Sequence, residues 1–303
     1  MDRYYGIGVD LGATNIKAVT VTEAGEILSQ AREPTRDNTG ERSSAVPIWA
    51  QAVKRLIEDL ESHNGAARWL GIAAPGLAAP DNRTISLMPG RLAGLEGFDW
   101  TRFLGRAVIV LNDAHAALVG EHWIGAGRGY QDIVLFTLGT GVGGAILIGG
   151  RLFQGRQGRA GHLGHITLDP EGAPDIVGIP GSLEAAVGEC TLSERSRGRY
   201  LNTQQLLDGL ERGEAAASSL WLKSVQGLAA AMASVINILD PEIVIVAGGV
   251  AGSGEVLFEP LNRFLDDYEW RASGDRIKLV PAALGDLSGA LGAARFAMQS
   301  EKP

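Results

Sequence analysis

The sequence predicts an α/β fold made of two related domains that close on a central cleft. Three observations point there. One device occurs twice, an apolar strand, a tight turn of Gly and Thr, and a second apolar strand, at Tyr5–Lys17 (YGIGVDLGATNIK) and Ile133–Ala145 (IVLFTLGTGVGGA). The elements that open the chain recur in the same order after the second copy. Apolar residues follow strand spacing in the short runs and helical spacing in the longer ones.

Taken in order, Tyr5–Asp10, Ile16–Thr22 and Ile27–Arg32 read as strands joined by short turns, the second turn being Glu23-Ala24-Gly25. Pro47–Leu60 reads as a helix whose apolar face carries Ile48, Ala52, Val53, Leu56, Ile57 and Leu60. A strand at Trp69–Ala73 ends in Pro75-Gly76, and another at Ala107–Leu111 ends at Asn112-Asp113. A helix follows over about 114–124, for which Asn112 or Asp113 could serve as N-cap. The second part opens with strands at 132–138, 142–149 and about 164–168, then helices at 183–187, 203–210 and 214–238. A strand at Ile243–Ala247 meets Gly248-Gly249, a helix covers Glu255–Leu265, Ile277–Pro281 is a last strand and Ser288–Met298 a last helix. The expected domains are 1–115 and 116–287, with the last helix, about 288–303, packing back on the first.

The 303 residues suffice for one large or two medium domains with a sizeable core. Net charge is −8, with no cluster of Lys or Arg, which argues against nucleic acid and anionic membrane as main partners. One cysteine, Cys190, excludes an intramolecular disulfide and fits a cytoplasmic location; no signal-peptide pattern opens the chain. Ile133–Gly150 carries no charge, but six of its eighteen residues are Gly, so it reads as a buried hairpin rather than a membrane span.

Glycines let a backbone approach an anion closely, and turn N–H groups with Thr hydroxyls can hold it. A lone Gly-rich hairpin turn is usually only a turn. Two of them facing each other could grip the β- and γ-phosphates of a nucleotide, and alternation carries Asp10 to the end of the first strand, just before the turn.

Further segments complete a pattern: Gly8-x-Asp10-Leu11-Gly12-Ala13-Thr14-Asn15, Ala74-Pro75-Gly76, Asn112-Asp113-Ala114, Leu138-Gly139-Thr140-Gly141-Val142-Gly143-Gly144, Gly161-x-x-Gly164-His165, Gly181-x-Leu183-Glu184, Leu239-Asp240-Pro241-Glu242 before Gly248-Gly249, and Leu284-Gly285-Asp286-x-x-Gly289-Ala290. In this order the chain resembles the ROK family of bacterial sugar kinases and related repressors, of the ribonuclease H-like (actin-like ATPase) fold. The resemblance covers nearly the whole chain and implies a glucokinase-like, ATP-dependent sugar kinase that phosphorylates a hexose or N-acetylhexosamine, at the 6-OH. It implies Asp113 as catalytic base, with a helix cap alone as the plainer role. Gly76, Asn112, Asp113, His162, His165 and Glu184 would meet the sugar; Glu184 otherwise reads as a helix-start carboxylate. Gly12, Thr14, Asn15, Lys17, Gly139, Thr140 and Gly141 would meet phosphate, Gly248 and Gly249 the adenosine. Lys17 reads equally as a strand-edge lysine, and Gly248-Gly249 as a strand-to-helix turn. Asp10 would meet Mg²⁺ through water, since Mg²⁺ keeps much of its hydration. A homodimer is also implied.

The sequence departs from the family in three places. Gly161-His162-Leu163-Gly164-His165 has His162 where the family has Glu, so one donor and one acceptor replace a pure acceptor, unless His162 points elsewhere. In 175–184 (DIVGIPGSLE) the three zinc-binding cysteines of many members are gone, so no structural zinc is expected. Packing by Ile176, Val177 and Ile179 is expected to replace the metal and leave His165 to the sugar alone. Met88-Pro89-Gly90 replaces Pro-Asn and removes a sugar-side amide. Two other readings stay open: a degenerate member that binds sugar or nucleotide without efficient catalysis, and a sugar-responsive regulator. Only about four residues precede the first strand, so the repressors' N-terminal DNA-binding element is not expected. Which sugar is used, and whether ATP or polyphosphate donates, stays open.

Overall fold

The computed structural model describes residues 4–37 and 46–300; the expected end of the last helix at 303 falls outside them. The chain runs β1 (Tyr5–Leu11), β2 (Asn15–Thr22), β3 (Ile27–Pro34), α1 (Ile48–Asn64), β4 (Trp69–Ala74), β5 (Ile109–Asn112) and α2 (Asp113–Ile124). It continues with β6 (Ile133–Leu138), β7 (Val142–Ile148), α3 (Leu183–Val187), α4 (Ala215–Leu239), β8 (Ile243–Ala247), α5 (Glu255–Tyr268), β9 (Lys278–Pro281) and α6 (Ser288–Ser300). The described residues form two compact units: those within 1–129, 150–160 and 283–303 make one, 130–149 and 161–282 the other.

In the first unit the sheet order is β3-β2-β1-β4-β5. β1 and β2 form the antiparallel hairpin, with Asp10 opposite Lys17, and β4 and β5 add in parallel. Both faces of β1 are covered, which is why its residues are nearly all apolar or Gly rather than alternating. Ile7, Val9, Leu11 and Ile16 pack with Trp49, Val53 and Ile57 of α1, and Trp49, Phe98, Trp100 and Phe103 extend this core as edge-on ring pairs. Val19, Val21 and Trp69 pack with Ala290, Leu291, Ala294 and Met298 of α6. The helix faces follow the expected spacing. α1 starts after Pro47, and α2 starts where Asn112 Oδ1 accepts from the N–H groups of Ala114 and His115.

α6 lies unusually close to its neighbours. An added Cβ at Gly8 would sit 1.8 Å from the Ala290 carbonyl oxygen, and one at Gly292 would sit 1.7 Å from that of Ala116 in α2. These glycines let strand, α2 and α6 meet backbone to backbone, which fixes Asp10 and Asp113 relative to one another.

The second unit repeats the plan. β6 and β7 form the antiparallel hairpin, and β8 and β9 add in parallel, in the order β7-β6-β8-β9. Val134, Phe136, Val244 and Val246 pack with Leu228, Met232 and Val235 of α4 and Leu257 and Leu261 of α5. Among the described residues α4 alone is long and apolar enough to cross a membrane, and 50% of its most apolar stretch is buried in this core. The uncharged 133–150 run forms the β6–β7 hairpin, as expected.

One expected strand is absent. Residues 163–165 form a 3₁₀ turn, and Thr167 makes only an isolated bridge with Ser182. Here the backbone is pressed onto β7, since a Cβ at Gly164 would lie 1.9 Å from the Val142 carbonyl oxygen. Packing against the sheet, rather than a ladder, holds the segment.

Gly292→Ala should therefore lower Tm by about 5–10 °C, the cost of forcing α2 and α6 apart, roughly 2–3 kcal/mol. Gly252→Ala, where nothing lies within 4 Å, should shift Tm by less than about 2 °C. Thermal unfolding of the two variants checks this.

Candidate active site

In the first unit the β1–β2 turn is held by a residue that the sequence did not single out. Thr35, fully buried just after β3, donates from Oγ1 to the Gly12 carbonyl at 2.6 Å and from its N–H to the Thr14 carbonyl at 3.0 Å. Gly12 N–H donates to the Asn15 carbonyl at 3.1 Å. Three carbonyl oxygens of the turn are thus occupied.

Asp10, next to last in β1, lies opposite Lys17, whose Nζ pairs with Asp286 Oδ2 at 3.1 Å. Asp286 belongs to the Leu284-Gly285-Asp286 motif, for which no contact with Lys17 was expected. Gly289 of α6 leaves room for the Asp10 carboxylate, which a Cβ there would approach to 3.0 Å. Burial, then the Asp113 charge, push the Asp10 pKa up to about 7, with Asp286 adding and Lys17 opposing. Asp113 is solvent-accessible yet densely surrounded by protein, and its pKa is raised by burial against the opposing bonds from Ala114 N–H and Asn112. Its Oδ1 accepts from Ala114 N–H and from Asn112 Nδ2, both at 2.8 Å. Asn112 Nδ2 also donates to the Gly76 carbonyl at 2.9 Å, so buried Asn112 ties Gly76, Asp113 and the start of α2 together. Both its amide protons are used inside the protein, a geometry its residue type alone does not reveal.

The second unit treats its own turn alike. The Gly139 carbonyl accepts from Glu189 N–H at 3.1 Å, the Thr140 carbonyl from Cys190 N–H at 2.8 Å, and the Gly141 carbonyl from Gly139 N–H at 3.0 Å. Glu184, in the first turn of α3, accepts from Val142 N–H at 2.9 Å, and a Cβ at Gly141 would strike its carboxylate at 2.3 Å. Gly248 and Gly249 follow β8, where a Cβ at Gly248 would lie 2.2 Å from the Leu138 carbonyl oxygen. His165 and Glu184 come near one another because Leu183 N–H donates to the Ile166 carbonyl at 2.8 Å. His162 immediately precedes the 3₁₀ turn, and its carbonyl accepts from His165 N–H at 3.3 Å.

The expected packing in place of zinc is not what holds the 175–184 segment. Ile176 is 66% exposed and Val177 41%. Asp175 holds it instead: Oδ1 accepts from Val177 N–H at 3.0 Å and Ile179 N–H at 2.9 Å, and Oδ2 accepts from His165 Nδ1 at 2.9 Å. His165 is thus engaged by a carboxylate rather than left to the sugar alone. A short polar loop is more easily fixed by one carboxylate among N–H donors than by exposed aliphatic side chains.

The predicted residues therefore fall into two groups. Gly12, Thr14, Asn15, Lys17, Asp10, Gly76, Asn112 and Asp113 belong to one unit; Gly139, Thr140, Gly141, His162, His165, Glu184, Gly248 and Gly249 belong to the other. Among the described residues no three His, Cys, Asp or Glu side chains cluster to cage a metal. Asp10, with excess negative charge around it and its nearest cation already paired, fits a cation that keeps its own waters.

A model of the ROK family matches residues 6–300. A glucokinase of Thermotoga maritima is 32% identical, over 95% of this chain and 95% of its own. An N-acetylmannosamine kinase of Escherichia fergusonii is 28% identical over 98% of this chain and 99% of its own. The structure of a ROK family glucokinase from Streptomyces griseus, in complex with glucose and AMPPNP, superposes with a TM-score of 0.81 at 27% identity, covering 97% of this chain and 99% of that one.

The Asp10 shift has a stability consequence. Between about pH 4 and 7 the folded state holds more protons than the unfolded one, so stability from this group falls as pH rises through that window. Asp10→Asn should unfold at a higher temperature than wild type at pH 8, by about 2–4 kcal/mol of added stability, with the difference gone near pH 4. Thermal unfolding across that range checks it.

Proposed function

The chain belongs to the ROK family, has the actin-like ATPase fold and is a sugar kinase, and from that premise we propose that it transfers the γ-phosphate of ATP to the 6-OH of a hexose or N-acetylhexosamine with Asp113 as base. The observation that carries this reading is Asp113 itself. Its carboxylate is fixed at a strand-to-helix junction by Asn112 and Ala114 N–H, is accessible, and is made more basic by its surroundings.

Phosphoryl transfer asks the protein mainly for positioning and charge stabilisation. Asp113 takes the proton of the sugar hydroxyl as that oxygen bonds to the γ-phosphorus and ADP leaves. The two turns present N–H groups and the Thr14 and Thr140 hydroxyls to phosphate oxygens. Lys17, released from Asp286, adds a positive charge there. Asp10 would hold Mg²⁺ through water, and that ion supplies neutralisation of phosphate charge when bound. His165 and Glu184 meet sugar hydroxyls. Glu184 also holds the second turn, which couples the sugar to the phosphate donor.

ADP release with Mg-ATP should be turned on by one member of a panel of hexoses and N-acetylhexosamines, glucose being the first expectation. Asp113→Asn should cut kcat about 10³-fold while nucleotide affinity stays within about twofold. Full activity in that variant, or no turnover with any sugar, would overturn the proposal.

A further inference from the structure

Asp175 is almost wholly buried, its side chain 2% exposed, while His165 beside it is 34% exposed. Every hydrogen bond to the Asp175 carboxylate comes from a donor. Val177 and Ile179 N–H groups share Oδ1, His165 Nδ1 reaches Oδ2, and the Ser182 hydroxyl nearby favours the charged form. Ser182 Oγ accepts from Ala185 N–H at 3.2 Å as the cap of α3, so its own proton is free to point at Asp175. Burial opposes the charge, but these bonds hold the Asp175 carboxyl below the usual carboxylate range.

An ionised carboxylate accepts only. His165 Nδ1 must therefore carry a proton, and a neutral ring then leaves Nε2 bare. We propose that Asp175 is a positioning residue that fixes the Nδ1–H form of His165, so that Nε2 meets the sugar as a hydrogen-bond acceptor. This rests on the reading that His165 contacts the sugar. It defines what His165 can recognise: a hydroxyl that donates, one whose own oxygen stays available to another donor. It also ties the sugar side to α3, since Ser182 caps the helix that carries Glu184.

The network makes an unusual forecast for Asp175→Asn. Two backbone N–H groups claim one oxygen position, so the amide oxygen must stay there and its NH₂ must face His165. An NH₂ donates, and Nδ1 then has to accept, which moves the ring proton to Nε2. One atom changed outside the sugar site thus reverses the polarity of the ring inside it.

The test uses full-length protein labelled with ¹⁵N-histidine at pH 8, with the His165 signals identified by their loss in His165→Gln. Wild type should show a protonated Nδ1 and a bare Nε2, and Asp175→Asn the reverse. The same variant should raise the sugar KM about tenfold, with kcat within about threefold and the ATP KM unchanged. Asp175→Leu, which neither donates nor accepts, should show a mixture of both ring forms, and thermal unfolding confirms that each variant is folded. A bare Nδ1 in wild type, or Asp175→Asn that reverses the ring without moving the sugar KM, would overturn the proposal. Failure of the kinase reading looks different: wild type would turn over no sugar while its ring form and the reversal stayed as forecast.

Discussion

A phosphate repels carbonyl oxygens, and every tight turn carries several. A turn binds an anion only if its carbonyls are turned away and kept there while its N–H groups face outward. In both units of this protein that constraint is met by bonding three turn carbonyls within the protein. Thr35 and Gly12 N–H do it for the first turn; Glu189, Cys190 and Gly139 N–H do it for the second. Each uses one glycine N–H from the turn itself and donors from a segment outside it, Thr35 in one unit and Glu189 with Cys190 in the other, and each occupies the carbonyl of the turn's first glycine, Gly12 or Gly139. Much else follows from it. Thr35 must be buried against β1–β2, and the segment after α3 must reach back to the β6–β7 turn, carrying Glu184 with it.

The second constraint is charge. The Asp113 charge raises the cost of ionising Asp10, and the short turn before α6 brings Asp286 into the same field. Lys17 offsets part of it. Holding carboxylates in mutual repulsion takes rigid supports, which is what the backbone contacts at Gly8 and Gly292 provide. The proposed Mg²⁺ fits such a place, because a cation would relieve the repulsion that Lys17 offsets only in part.

The fold was legible because its signals are local. Gly-Thr turns between apolar runs, the N-cap at Asn112 and the 3.6-residue spacing over 48–60 each act within a few positions. The family resemblance rested on such motifs, and the match over residues 6–300 agrees with it. The residues that were missed act across sequence distance. Thr35 follows a strand with no pattern of its own and works 23 positions away. Asp175 stands in a loop whose sequence shows only that the cysteines are gone, and its partner His165, 2.9 Å away, is ten positions earlier. The absent strand at 164–168 has the same cause. Its apolar spacing was real, but Gly164 pressing on β7 decided its geometry.

The claim that the tied-back carbonyls make these turns phosphate sites is tested most directly by calorimetric titration of Mg-AMPPNP into Thr35→Val. Valine keeps the shape and the backbone bond to the Thr14 carbonyl but frees the Gly12 carbonyl. Affinity should be about tenfold weaker, with Tm lowered by only about 2–4 °C, the worth of one hydrogen bond. Unchanged nucleotide affinity in a folded Thr35→Val protein would contradict it.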